Sequence, residues 1–157
     1  MRRTRRGQFE LHLPKVERDI LRSLPDELRR VLSSDDPVLG RLFPAAYGDD
    51  VERSNEFDRL VRGDLMAKRM GSIEVMEATI DANRVDEDQL LAWLGAINDL
   101  RLVLGTRLEV TEDDPVEVPD DDPQVGAYAL YYYLGWLEEQ VVEALASGMD
   151  PAGTSSD

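Results

Sequence analysis

Apolar residues recur at helical spacing along most of this chain, and this periodicity constrains its fold more than any other feature. The clearest series runs through Leu90, Leu94, Ile97, Leu104 and Leu108; others are Val16, Ile20, Leu24 and Leu130, Leu134, Leu137, Val141, Leu145. Residues three or four apart share one face of an α-helix, so each series needs a neighbouring helix to cover it. We therefore predict an all-α fold, a single compact bundle of five to six helices.

Local signals support two of these helices. Asp86, followed three residues later by Gln89, has the pattern of a capping box at the start of the helix through Leu90. The segment 51–81 is predicted as one long helix or two, because Gly63 and Gly71 each cost about 1 kcal/mol relative to alanine inside a helix.

A different period precedes Pro14. Phe9, Leu11 and Leu13 alternate with polar residues, which indicates a short N-terminal strand. No partner strand is evident in the sequence, so this segment either pairs between chains or lies extended over the helices.

The length of 157 residues suits one domain, and the two termini differ in composition from it. Residues 1–8 are predicted as a basic flexible arm, 9–146 as the helical domain and 147–157 as a disordered tail. Within the domain, residues 109–122 hold eight acidic residues, no basic ones and two prolines, which favours an exposed acidic loop.

The net charge of −15, from 33 acidic and 18 basic residues, bears on partners. Such a body repels phosphate backbones and anionic membranes, so we expect no membrane contact and only weak or partner-dependent DNA binding. A basic protein partner suits the charge, although the charge also serves solubility alone. The exception is the arm, whose arginines are either solvated or a nucleic-acid contact: Arg2, Arg3, Arg5 and Arg6.

We find no pattern for catalysis, a cofactor or a metal, and we predict that the chain is not an enzyme. It has no cysteine, one histidine (His12), and neither a nucleophile elbow nor a phosphate-binding loop. The acidic loop would attract a hard cation only weakly, because it lacks the ligand spacing of a calcium loop. Neither a signal peptide nor a membrane-spanning run is evident, so we expect a cytoplasmic protein.

Polar residues interrupt the helix after Ile97, namely Asn98, Asp99, Arg101 and Arg107. We favour an internal polar network, because buried groups of mixed sign usually satisfy one another and fix the register of neighbouring helices. The alternative is a pocket for a small anion built on Arg101 and Arg107.

Aromatic residues form two candidate partner surfaces. One is on the last helix, with Tyr131, Tyr132 and Trp136, and the other comprises Arg41, Phe43 and Tyr47. Exposed tyrosine and tryptophan are typical of interfaces, and a homodimer is one such interface. Ordinary core and loop packing is equally compatible with these residues.

Residues 9–146 carry five segments that resemble an actinobacterial family of unknown function, often encoded beside the adaptor ClpS: Arg41–Tyr47, Asp86–Leu94, Asn98–Leu108, Thr111–Asp114 and Leu134–Gln140. Its AosR-like branch is described as oxidative-stress transcriptional regulators. The resemblance implies a regulator that acts with a sigma factor or polymerase component. That branch senses oxidants through an N-terminal cysteine pair, which this sequence lacks.

From these observations we predict a non-enzymatic cytoplasmic regulator that works through protein contacts, without thiol sensing. The alternatives are an adaptor or assembly protein of the ClpS proteolysis system and a domain that binds small anions.

Overall fold

The computed structural model describes residues 1–34, 39, 51–108 and 121–147. Most of these residues are helical, and short strands lie near the N-terminus and between the two longest helices. The elements in chain order are β1 (Arg2–Arg3), β2 (Phe9–Glu10), α1 (Lys15–Arg22), α2 (Leu24–Leu32), α3 (Val51–Ala78), β3 (Arg84–Val85), α4 (Glu87–Arg107) and α5 (Val125–Ser147).

The predicted helical bundle is right in its main part but needs two corrections. A small three-stranded antiparallel sheet accompanies the helices, so the fold is not all-α. Ser23 alone separates α1 from α2. If that pair is counted as one helical unit, the five helices named above make four units, fewer than the five to six helices predicted.

The sheet has the strand order β1-β2-β3, and the predicted N-terminal strand is its middle member. Phe9 pairs with Arg3 on one side and with Val85 on the other. Phe9 and Val85 are both buried, so the sheet contributes its apolar side chains to the main core. The strand that sequence periodicity indicated over residues 8–13 is limited to Phe9–Glu10.

Helix α4 lies between α3 and α5 and contributes much of the core. The predicted capping box is confirmed: the Gln89 backbone N–H donates to Asp86 Oδ1 at 2.7 Å, and the Asp86 N–H donates to Gln89 Oε1 at 2.9 Å. Trp93 is fully buried, and its indole N–H donates to Thr79 Oγ1 at 2.7 Å. The end of α3 is therefore fixed to the first turns of α4.

Helix α3 continues through Gly63 and Gly71 as one helix. None of the helices in the described ranges combines the length and the apolar character that crossing a membrane requires.

Helix α1 faces the core differently from the sequence prediction. Leu21 and Leu24 are buried, but Val16 and Ile20 are 69% and 42% exposed. The predicted apolar stripe of this helix is therefore turned largely toward solvent.

Arg18 explains that orientation. Its guanidinium and Nε donate to the backbone carbonyls of Leu11 and Leu13, and to those of Ile80 and Ala82, at distances from 2.9 to 3.3 Å. One side chain thus satisfies four carbonyl groups from the segments before α1 and after α3. These contacts join the N-terminal strands to the helical core.

We predict that Arg18→Lys lowers the free energy of unfolding by about 1–3 kcal/mol, because a single ammonium cannot replace a planar fork that serves four carbonyls. Urea denaturation checks this. The matched control is Arg30→Lys, whose exposed ion pair with Glu27 predicts a loss below about 0.5 kcal/mol. Equal losses in the two variants would contradict the role assigned to Arg18.

Candidate functional site

Two polar residues of α4, Asp99 and Arg101, are directed toward two different helices. Asp99 is buried, and its Oδ1 lies 3.7 Å from Nη1 of Arg69 on α3. Burial raises the pKa of Asp99 to about 6, and the positive charge of Arg69 opposes that rise without cancelling it. Asp99 is therefore a buried carboxyl group with an incompletely matched charge.

Arg101 is directed toward α5. Its Nη1 donates to Oε2 of Glu138, and the guanidinium carbon lies 5.2 Å from the centre of the Tyr131 ring. A Cβ at Gly135 would lie 3.2 Å from Nη2 of Arg101, so glycine provides the space for the guanidinium. Tyr131, Gly135 and Glu138 share one face of α5 because they are four and three residues apart.

Tyr131 also fits against α4 itself. A Cβ at Gly105 would lie 3.1 Å from Cε2 of the Tyr131 ring, and the tyrosine is only partly exposed. Tyr131 is thus part of the α4–α5 contact.

The four predicted network residues do not form one cluster. Asn98 and Arg107 are exposed, whereas Asp99 and Arg101 contact α3 and α5 respectively. The charge of Arg101 is matched by Glu138, which weakens its attraction for a small anion. The sequence did not reveal Arg69, Glu138 and Gly135 as partners, since nothing in their local pattern marks them.

Two aromatic side chains of α5 remain accessible. Tyr132 is 46% exposed and Trp136 is 50% exposed, and their spacing of four residues places them on one face. The Trp136 ring centre lies 6.0 Å from that of Tyr133, whose hydroxyl is buried. The second predicted aromatic surface, Arg41, Phe43 and Tyr47, lies outside the described residues.

The four N-terminal arginines are all exposed on a hairpin. Arg2 and Arg3 form β1, and Arg5 and Arg6 lie in the turn before β2, where Gly7 has a φ of +76°. Within residues 1–8, which the sequence predicts as a basic flexible arm, Arg2 and Arg3 pair with Glu10 and Phe9 of β2. The guanidinium of Arg3 lies 5.7 Å from the Phe9 ring centre.

His12 lies close to one carboxylate. Its Nε2 is 3.0 Å from Oε2 of Glu10, and both side chains are at the surface. Within the part of the chain that the structure describes, no three acidic or histidine side chains converge as a metal site.

Comparison with known proteins identifies relatives. The family model described as a domain of unknown function, DUF2017, matches residues 1–145. The oxidative stress regulator AosR of Mycobacterium tuberculosis, like that of Mycobacterium bovis, is 30% identical over 127 residues, which cover 70% of this chain and 58% of the relative. The putative oxidative stress regulator AosR of Mycobacterium leprae is 32% identical over 129 residues, covering 71% and 59%.

The matched region thus spans less than two thirds of the length of these curated relatives. No solved structure matches the chain.

The pKa of Asp99 generates a prediction about pH. Because its pKa is higher in the folded protein than the ordinary value of 3.8, Asp99 stabilises the fold below about pH 4 and loses that contribution as the pH rises through about 6. Relative to wild type, Asp99→Asn should therefore gain about 1–3 kcal/mol of unfolding free energy between pH 4 and 7.5. Urea titrations of both proteins at several pH values measure this gain, and a constant difference would contradict it.

The contact between Gly105 and Tyr131 generates a prediction about alanine. Gly71→Ala should raise the free energy of unfolding by about 0.5–1 kcal/mol, because its added Cβ meets nothing within 4 Å. Gly105→Ala should instead lower it by about 1 kcal/mol, since the Cβ displaces Tyr131 from Arg101. Thermal melts of the two variants compare these effects, and equal stabilisation would argue against close packing at Gly105.

Proposed function

Because this chain belongs to the DUF2017 family and its curated relatives are named oxidative stress regulators, we propose that it is a non-enzymatic regulator acting through protein contact. The observation that carries this proposal is the exposure of Tyr132 and Trp136 on a helix whose other aromatic side chains are only partly exposed. Large aromatics bury much area at little entropic cost, so they suit the centre of an interface.

The proposed partner is a sigma factor or another component of RNA polymerase. The net charge of −15 suits a partner with a basic surface, and opposite charges accelerate association at low ionic strength. Such a complex weakens as salt increases, since exposed charges are screened beyond about 10 Å at 0.1 M salt.

The arginine hairpin adds a second proposed contact. Arg2, Arg3, Arg5 and Arg6 place four positive charges together on a body that is otherwise strongly acidic. Once a partner holds the protein at a promoter, these guanidinium groups would pair with backbone phosphates. Binding to DNA without a partner is expected to be weak because the rest of the molecule repels it.

The proposed regulation does not use thiol chemistry in this chain. The sequence contains no cysteine, and thiolate oxidation needs one. We propose instead that the signal reaches the regulator through the state or amount of its partner.

The test is affinity purification of the tagged protein from its host at low salt. We expect a sigma factor or polymerase subunit to be retained and then released at high salt. A double variant, Tyr132→Ser with Trp136→Ser, should reduce retention, whereas Leu60→Ser, a change at another exposed apolar residue, should leave it unchanged.

Other outcomes would contradict the proposal. Retention of ClpS or protease subunits without polymerase would indicate the proteolytic adaptor. No retained protein, together with a higher melting temperature in inorganic phosphate or sulfate, would indicate an anion-binding domain.

A further inference from the structure

The exposed aromatic pair of α5 continues into an acidic segment. Tyr132, Trp136, Glu139 and Glu143 follow one another at spacings of four, three and four residues, so they form one stripe along the helix. All four side chains are exposed. We call these four residues the α5 stripe.

The charge of the stripe is uncompensated within the described part of the protein. Helix α5 contains no lysine or arginine. Glu138, the neighbouring carboxylate, turns inward to Arg101, but Glu139 and Glu143 make no ion pair among the described residues. The stripe therefore offers two aromatic rings followed by two carboxylates in water.

Helix α1 lies beside the aromatic end of this stripe. The Glu17 carboxylate lies near the hydroxyl of Tyr133, and burial together with that carboxylate raises the pKa of Tyr133. The Tyr133 ring in turn is a neighbour of Trp136. Val16 and Ile20, on either side of Glu17 in sequence, are the exposed apolar residues of α1. The aromatic end of the α5 stripe therefore lies close to α1, a helix with exposed apolar side chains of its own.

The negative charge of the α5 stripe distinguishes between two possible binding partners, a second copy of the chain and a basic segment of another protein. Two copies of the chain packed through α5 about a two-fold axis would place four carboxylates in one interface with no cation from either helix. Like charges placed in contact are unfavourable, and a buried carboxylate without a partner is costly. A segment with an apolar side and several lysines or arginines complements both halves of the stripe, because its apolar side covers the aromatic rings and its cations pair with the carboxylates.

We propose that the α5 stripe binds a basic amphipathic helix of another protein. Its apolar residues pack on Tyr132 and Trp136 beside α1, and its lysines or arginines pair with Glu139 and Glu143. Helix-in-groove recognition uses this spacing, since anchors at i, i+4, i+7 and i+11 lie on one side of both helices. The inference rests on the proposed regulatory function, because it assumes that the partner is a protein. It adds which surface of this chain binds the partner and which kind of segment the partner contributes.

The probe is a synthetic helical peptide of about 18 residues with leucines on one face and lysines on the other. A matched peptide carries glutamate in place of every lysine. Fluorescence anisotropy of the labelled peptides, titrated with the full-length protein, measures the dissociation constants. We expect the lysine peptide to bind and the glutamate peptide not to bind.

Charge reversal distinguishes a defined surface from general attraction to an acidic protein. Glu139→Lys with Glu143→Lys should weaken binding of the lysine peptide by about tenfold or more, equivalent to about 1.4 kcal/mol, and should allow the glutamate peptide to bind. The control, Asp64→Lys with Glu74→Lys, makes the same change in net charge on exposed residues of α3. It should change affinity by less than about threefold, the effect of net charge alone. Circular dichroism verifies that both variants are folded.

Two results would overturn the inference. Equal weakening by the two double variants would show attraction to net charge, not to the stripe. Self-association in sedimentation experiments that Trp136→Ser abolishes would assign the surface to a second copy of the chain.

The outcome is separable from that of the proposed function. Retention of a polymerase component by the Glu139→Lys, Glu143→Lys variant would support the regulatory function and contradict the binding of that partner by the α5 stripe. Binding of the lysine peptide by the wild type and of the glutamate peptide by the charge-reversed variant, with no transcription partner in the purification, would support the α5 stripe as a binding surface and contradict the regulatory function.

Discussion

The position of α4 between two helices is the constraint on which the rest of the structure depends. A polar side chain on a covered face of such a helix loses contact with water, so it needs a partner on the helix that it faces. Trp93 uses Thr79 at the end of α3, Asp99 uses Arg69, and Arg101 uses Glu138. These contacts allow only one axial alignment of α3 and α5 against α4, because a shift of one turn separates every pair by about 5.4 Å. The pairs thus contribute to specificity even where burial of charge costs stability.

The sheet depends on the helices for its existence. Its strands are two residues long, and isolated pairs of that size are not stable in water. Burial of Phe9 and Val85 supplies the stabilisation that the few ladder hydrogen bonds lack. Arg18 completes the attachment by binding carbonyl groups in the segment after β2 and in the segment before β3. The orientation of α1 follows from this, since Val16 lies about 200° around the helix from an Arg18 that must face inward.

Local patterns in the sequence were sufficient for the helical character of the fold and for the N-terminal cap of α4, but not for long-range pairing. Periodicity and the Asp86 capping box predict α4 because both arise within one segment. The partner of Phe9 is Val85, which follows it by 76 residues in a strand too short to show a period. The candidate site divides in the same way: the polar positions of α4 are visible in the sequence, whereas Arg69 and Glu138 are determined by helix packing. In α1, the hydrogen bonds from Arg18 to carbonyl groups determine which face of the helix is buried, so the apolar stripe does not.

The intramolecular contacts of arginine side chains also affect the charge of the protein surface. Arg18, Arg22, Arg29 and Arg101 are each engaged with backbone carbonyls or with carboxylates of another helix or loop. Each of these guanidinium groups is committed to a contact within the protein and cannot also balance another exposed acid. Carboxylates such as Glu139 are therefore left to interact with solvent or with another molecule. The N-terminal arginines are held on the hairpin, so one protein presents basic and acidic surfaces on separate elements. This separation suits the proposed regulator, in which α5 would contact a basic protein and the N-terminal strand a phosphate backbone, because neither surface needs to neutralise the other.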